Sequence, residues 1–176
     1  MKIQKTGLDG LFILETDQFE DERGYLAKFY DENFLAKNNL KLHITQVKFV
    51  YTKKKGTIRG IHMQKKPYEE VKIVHCTRGK IYEVALDVRK NSKTFGKWFG
   101  AEFSEKDKKS FLIPKGFAHG YQTLTNDSEL LYLMTGKFSL PHNIGFKWDD
   151  PYLGINWPLN PTVIADKDRK WTLLKK

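Results

Sequence analysis

The feature that most constrains this chain is the stretch from residue 43 to 136. Short apolar-alternating runs follow one another there with barely a gap. His43 to Tyr51 comes first, and the Lys53-Lys54-Lys55-Gly56 turn leads into 57–64. Val71 to Cys76 and Lys80 to Val88 flank Arg78-Gly79, a hairpin signal. Gly96 to Phe103, Lys109 to Ile113, His119 to Thr125 and Glu129 to Gly136 complete the series. Period-two alternation sends one face of each run to a core and the other outward. Many short strands at regular spacing, with few helices, fold as a β-sandwich or barrel.

The flanks add little that competes with this. Gly10 to Glu15 and Tyr25 to Tyr30 read as strands on either side of the Asp21-Glu22-Arg23-Gly24 turn. Asp31 to Asn39 is the one clear helix, capped by Asp31 and ended by the Asn pair. From Asp149 the tail is irregular, with Pro151, Pro158 and Pro161, and one helical turn is expected within Asp166 to Trp171. No repeat, linker or composition break divides the chain, so one domain over 1–176 is expected. Its hydrophobic share of 40% suffices for a core at this length.

A single cysteine, Cys76, rules out an internal disulfide and suits a reducing compartment. No apolar run approaches a membrane span, and Met1 to Lys5 lacks the apolar stretch of a signal peptide. A cytoplasmic protein without a membrane partner is expected. The net charge of +10 is spread over scattered lysines with no zinc-finger, RRM or KH signature. Nucleic acid is therefore not the expected partner; a phosphate-bearing small substrate needs only a few of these cations.

Chemistry concentrates in four places. Ile58-Arg59-Gly60-Ile61-His62-Met63-Gln64 is a strand carrying Arg59 and His62 on either side of a glycine. Strict alternation sends them to opposite faces, but a bulge at Gly60 turns both to one side. The plainer alternative is an edge Arg in solvent and a hydrogen-bonded core His. Ile113-Pro114-Lys115-Gly116-Phe117-Ala118-His119-Gly120 has the P-x-G-x-x-H spacing of the second cupin motif. The H-x-H of metal cupins is missing, since His62-Met63-Gln64 stands there, so no metal is expected. His119 is then either a site residue or a loop histidine tying down a turn. Tyr132 interrupts an apolar strand, as core or as acid. Lys72 sits in Val71-Lys72-Ile73-Val74 and faces either solvent or a pocket that perturbs it.

These stretches follow one another together with Asp87-Val88-Arg89, Thr94-Phe95-Gly96-Lys97-Trp98, Trp148-Asp149-Asp150 and Gly154-Ile155-Asn156-Trp157-Pro158. In that order they resemble the dTDP-4-dehydrorhamnose 3,5-epimerase family over about residues 10–170. The resemblance implies a double-stranded β-helix jelly roll of the cupin type with no cofactor. It implies His62 as general base, Asp168 as the carboxylate that orients it, Tyr132 as acid on the opposite face and Lys72 near the 4-keto oxygen. Arg59, His119, Arg23 and Lys167 fall at sugar- or phosphate-contacting positions. It also implies a homodimer whose N-terminal strands reach over the neighbour's site, with Arg23 and Lys28 serving that pocket.

The implied chemistry is coherent. A C4 ketone acidifies the protons on C3 and C5, a neutral His removes one, and a cation meets the enolate charge. Three positions depart from the family pattern. Gln46-Val47-Lys48 replaces Gln-Asp-Asn, Lys28 replaces Glu, and Asn143 stands where Glu is frequent. All three lie around the nucleotide in the family. The expected substrate is thus a nucleoside-diphosphate 4-keto sugar contacted by Gln46, Lys48 and Asn143, with GDP and a heptose as the alternative to dTDP. Surface-polysaccharide, lipopolysaccharide or capsule biosynthesis is the implied setting. A single-centre 3-epimerase, a 3,4-ketoisomerase or a non-catalytic sugar-binding cupin are the rivals.

Overall fold

The computed structural model describes residues 1–175; Lys176, the last residue of the expected domain, lies outside the described residues. The chain runs β1 (Lys2–Lys5), β2 (Phe12–Glu15), β3 (Gln18–Asp21), β4 (Gly24–Ala27) and α1 (Glu32–Lys37). It continues through β5 (Gln46–Thr52), β6 (Thr57–Gln64), β7 (Lys72–Arg78), β8 (Lys80–Asp87), β9 (Trp98–Ser104), β10 (Lys109–Ile113), β11 (Phe117–Thr123) and β12 (Ser128–Met134). A 3₁₀ turn at Leu140–His142, then β13 (Asn143–Gly145), β14 (Val163–Ile164) and α2 (Asp166–Arg169) complete it. One sheet has the order β1-β2-β10-β7-β12-β5, the other β13-β6-β11-β8-β9, and β3 pairs with β4 in a separate hairpin. This is the expected all-β jelly roll.

Alternation places the core between the sheets. Val74, Cys76, Phe111, Leu130, Tyr132 and Met134 from the first sheet meet Ile81, Ala85, Phe103, Phe117 and Tyr121 from the second. Phe111 is fully buried, tilted against Phe99 and Phe103 at 6.0 and 5.4 Å between ring centroids. Cutting such a side chain to Ala costs about 3–5 kcal/mol.

Each sheet also has its outer face covered. The segment around α1 packs Leu35, with Phe29, Phe34, Leu40 and Ile44, onto Leu14, Ile73, Leu112 and Leu133. Asp31 caps the helix as expected, its Oδ1 accepting from Phe34 N–H at 2.9 Å. The tail covers the second sheet with Leu153, Ile155, Trp157 and Leu174 against Ile61, Met63, Leu86 and Ala118. Without periodicity of its own, the tail is fixed by polar clasps. Gln122 bonds Leu159 through both amide atoms, and Asp150 Oδ2 accepts from Leu174 N–H at 2.7 Å. The outer face of the edge strand β5 stays bare: Val47, Phe49 and Tyr51 are exposed.

Candidate active site

A cavity of about 360 Å³ lies between the sheets. Arg59 and His62 enter it from β6 and His119 from β11; Lys48, Lys72 and Tyr132 enter from the facing sheet. Asn143 of β13 and Lys167 and Asp168 of α2 finish the lining. Three residues expected in the site do not line the cavity of their own chain. Arg23, in the β3–β4 turn, is 85% exposed and pairs with Asp21 at 2.5 Å. Lys28 is exposed and pairs with Asp31 at 2.9 Å. Gln46 donates its side-chain amide to the Gly136 carbonyl.

The bulge at Gly60 explains how Arg59 and His62 share one side. Against β11, His62 pairs with His119 and Arg59 with Tyr121, so three steps along β6 oppose two along β11. Gly60 has φ +104°, and a Cβ there lies 2.6 Å from His119 O and 2.8 Å from Gly120 Cα. No other residue fits so close an approach. The bulge takes Gly60 N–H out of the ladder, and Asp168 Oδ2, 108 residues further on, accepts it at 3.1 Å. Trp171 Nε1–H donates to the other carboxylate oxygen at 3.0 Å. Asp168, 2% exposed, thus clamps the backbone between Arg59 and His62. A direct bond to His62 was the implied arrangement; instead His62 Nδ1 is buried with no hydrogen-bond partner among the described residues. Arg59 is steadied by its own contacts, donating from Nε to Thr52 Oγ1 at 3.0 Å and from an Nη to Tyr51 O at 3.2 Å.

Electrostatics separate the two walls. Burial holds the His62 imidazole well below its usual range, and Lys72, His119 and Lys167 push the same way. The ring is therefore a neutral proton acceptor at neutral pH. Burial raises the Tyr132 phenol well above its ordinary value, helped by Glu83 and Tyr121 and opposed by Arg59. That phenol keeps its proton and can only donate it. The Lys72 ammonium is lowered by burial; Glu70 and Glu83 counter this, while Lys48 adds to it. His119 pairs with the buried Glu83 carboxylate, and its ring meets Tyr132 edge-on at 6.0 Å. Among the described residues, no three His, Cys, Asp or Glu side chains gather as a metal requires.

Several residues of the site carried no expectation. Glu83 stands on the inward face of β8 between Ile81 and Ala85. A charge at a core position of an apolar strand is the signal that singled out Lys72, and it was present here too. Glu83 stands behind the lining, whereas Glu70, Tyr121 and Phe138 are part of it. Gln64 holds the loop before β13, accepting from Ser139 N–H at 2.9 Å and donating to Asn143 Oδ1 at 3.1 Å.

Known proteins share this fold. A 3,5-epimerase from Sinorhizobium fredii, acting on dTDP-4-dehydrorhamnose by its name, is 38% identical over 169 residues, covering 96% of this chain and 87% of that protein. The crystal structure of a dTDP-4-dehydrorhamnose 3,5-epimerase from Bacillus anthracis, with TDP and PPi bound, superposes with a TM-score of 0.96 at 35% identity. It covers 98% of this chain and 99% of the other. A Legionella pneumophila epimerase in complex with dTDP-4-keto-L-rhamnose gives 0.93 at 32% identity, covering 98% and 92%. The profile of dTDP-4-dehydrorhamnose 3,5-epimerases matches residues 5–176, and the chain belongs to that family.

Proposed function

We propose that the protein inverts C3 and C5 of a nucleoside-diphosphate 4-keto-6-deoxy sugar. The observation that carries this is the placing of a neutral imidazole and a protonated phenol on facing walls of one cavity. His62 takes the proton from a carbon next to the ketone. The electron pair moves onto the carbonyl oxygen, and the enolate so formed is met by the Lys72 ammonium. Tyr132 returns a proton to the opposite face as the enolate collapses; Tyr132 then regains a proton from solvent, and His62 releases to solvent the one it took. The steps as written draw on no metal or organic cofactor. Asp168 acts here as a positioning residue, since it fixes the bulge that carries both Arg59 and His62.

The relatives' bound TDP and dTDP-keto sugar support a pyrophosphate handle. Arg59, Lys48 and Lys167 supply cations for it along the cavity. GDP remains the alternative to dTDP, on the strength of Lys28, Lys48 and Asn143. We propose one domain over residues 1–176, a cytoplasmic location and a place in surface-polysaccharide sugar biosynthesis; among the described residues no helix is long and apolar enough to cross a membrane.

We further propose a homodimer. Phe19, Tyr25 and Leu26 of the β3–β4 hairpin and Val47, Phe49 and Tyr51 of β5 are exposed, two apolar groups that a second copy would cover. The hairpin then delivers Arg23 and Lys28 to the neighbour's cavity.

Incubation with 4-keto sugar nucleotides in deuterated solvent tests the reaction by NMR. Deuterium at C3 and C5 is expected. Label at one carbon makes it a single-centre enzyme, and no label with any base overturns the catalytic reading.

A further inference from the structure

Glu70 is a buried carboxylate that the proposed steps leave unused. It lines the cavity two residues before Lys72 and is 9% exposed. Its Oε1 lies 3.4 Å from Lys72 Nζ, and both side chains are almost wholly buried. Its Oε2 has no hydrogen-bond partner among the described residues, so this charge is tied to the lysine alone. A buried carboxylate with so little support is costly unless it serves its partner.

The backbone holds the pair in place. Val71, between them, donates to Thr135 Oγ1 at 2.9 Å and accepts from Thr135 N–H at 3.1 Å. Gly136 leaves the room Glu70 needs, because a Cβ there lies 2.7 Å from Glu70 Cβ. The i, i+2 spacing sends Glu70 and Lys72 to one side of the strand entry.

We infer that Glu70 is a positioning residue that keeps the Lys72 ammonium charged and aimed into the cavity. The inference rests on the epimerase reading, in which Lys72 meets the developing enolate. A lysine cut off from water tends to lose its proton, and a neutral amine gives an enolate no countercharge. The groups facing Lys72 sort by sign. Lys48 on β5 and His62 on β6 cannot help it hold a proton; Tyr132 on β12 is neutral. Glu83 on β8 attracts the ammonium too, but it is engaged by His119. Glu70 is the carboxylate in direct contact, and Lys72 is lifted by it more than by any other neighbour.

The test uses Glu70→Gln, which keeps shape and removes charge. NMR titration of the Lys72 side chain, assigned with Lys72→Arg, reads the coupling without any substrate. Its midpoint should fall by about one unit or more, the usual effect of losing an opposite charge at this range. An unchanged midpoint overturns the inference. In the exchange assay kcat should fall about tenfold or more, as the loss of one charge-assisted contact in the transition state would give, with KM changed less. The basic limb of its pH profile should move to lower pH by the same step as the titration. Glu70→Asp should restore part of both. In a Lys72→Met background Glu70→Gln should cost nothing further; an additional loss there overturns a role through Lys72. Wild-type protein that exchanges no deuterium sinks the epimerase reading, whereas the titration still decides whether Glu70 holds the charge.

Discussion

Between the sheets, Glu70, Lys72, Glu83, His119 and Asp168 are all 9% exposed or less. On the outer face of β5, Val47, Phe49 and Tyr51 are 59%, 67% and 49% exposed. The cavity hides charge and the strand edge shows hydrocarbon, so each region reverses the ordinary partition. The reversals differ in kind. Charge inside is stable only when paired or hydrogen-bonded, and here most of it is: Lys72 with Glu70, His119 with Glu83, Asp168 with Gly60 N–H and Trp171. The exposed hydrocarbon outside has no such internal remedy, and the proposed second copy would supply one. One region fits the proposed chemistry and the other the proposed neighbour.

The sharpest way to break this comparison is to remove the two groups proposed to move protons. His62→Ala and Tyr132→Phe should each lower turnover by about two to four orders of magnitude, the scale of acid–base groups. Tyr132→Phe removes only an oxygen, so its melting temperature should stay close to that of the parent. Near-normal deuterium exchange in His62→Ala would show that the cavity's charges serve another purpose.

Acidity gives the next largest effect. Because burial lowers the His62 pKa, the acid limb of kcat/KM should lie below pH 6.5, the ordinary imidazole value. The sign for stability follows. In the window below 6.5 the unfolded chain binds the proton that the folded chain refuses, so stability falls as pH falls. Thermal melts of parent and His62→Gln across pH 7 to 5 should converge on acidification. A limb at or above 6.5 would place the base in water.

How much of each region could be read from the residues follows from the range of the forces involved. β5 to β12 were legible because alternation is local and each strand states it independently. β1 (KIQK) and β3 (QFED) are short and largely polar, and only their partners β2 and β4 make them strands. The strands expected at 10–15 and 25–30 shrink to Phe12–Glu15 and Gly24–Ala27. In the cavity, Gly60 between Arg59 and His62 allowed for the bulge, and a polar residue in an apolar strand marked Lys72 and Tyr132 while leaving solvent or core open as the alternative. The clamp by Asp168 was not legible, since nothing local links a tail carboxylate to a backbone N–H 108 residues earlier. Arg23 and Lys28 came through resemblance alone, and on their own chain they sit in solvent beside Asp21 and Asp31.

The outer region can be broken separately. Phe49→Glu with Leu26→Glu puts charge on both exposed apolar groups while leaving the cavity lining intact. Light scattering should then give the chain mass of 20.6 kDa for the variant and twice that for the parent, as the proposed dimer requires. Exchange should fall about tenfold or more, the scale of one charge-assisted hydrogen bond to phosphate withdrawn with the neighbour's Arg23. A parent that is already monomeric and fully active would detach the patch from the site and leave Arg23 and Lys28 without a role.

The mildest effect belongs to the cavity mouth, where the two regions meet. Lys48 points inward from β5, the same strand that shows Val47 and Phe49 to solvent, and its Nζ lies 5.9 Å from the centre of the Phe138 ring. The lysine is half-buried and the ring 56% exposed, so water screens whatever the cation does for a bound diphosphate or base. A cation this exposed contributes about 0.2–1 kcal/mol to holding an anion, up to about a fivefold change in affinity. Lys48→Asn should weaken binding of the preferred nucleoside diphosphate by that factor, with kcat for the matching 4-keto sugar unchanged. Calorimetry with dTDP, UDP, GDP and CDP against parent and variant separates two roles. An equal loss for all four means that Lys48 sees the phosphates, whereas a loss confined to one means that it reads the base. A loss in kcat instead would move Lys48 inward, from the mouth to the enolate, and leave the Lys72 ammonium sharing its task.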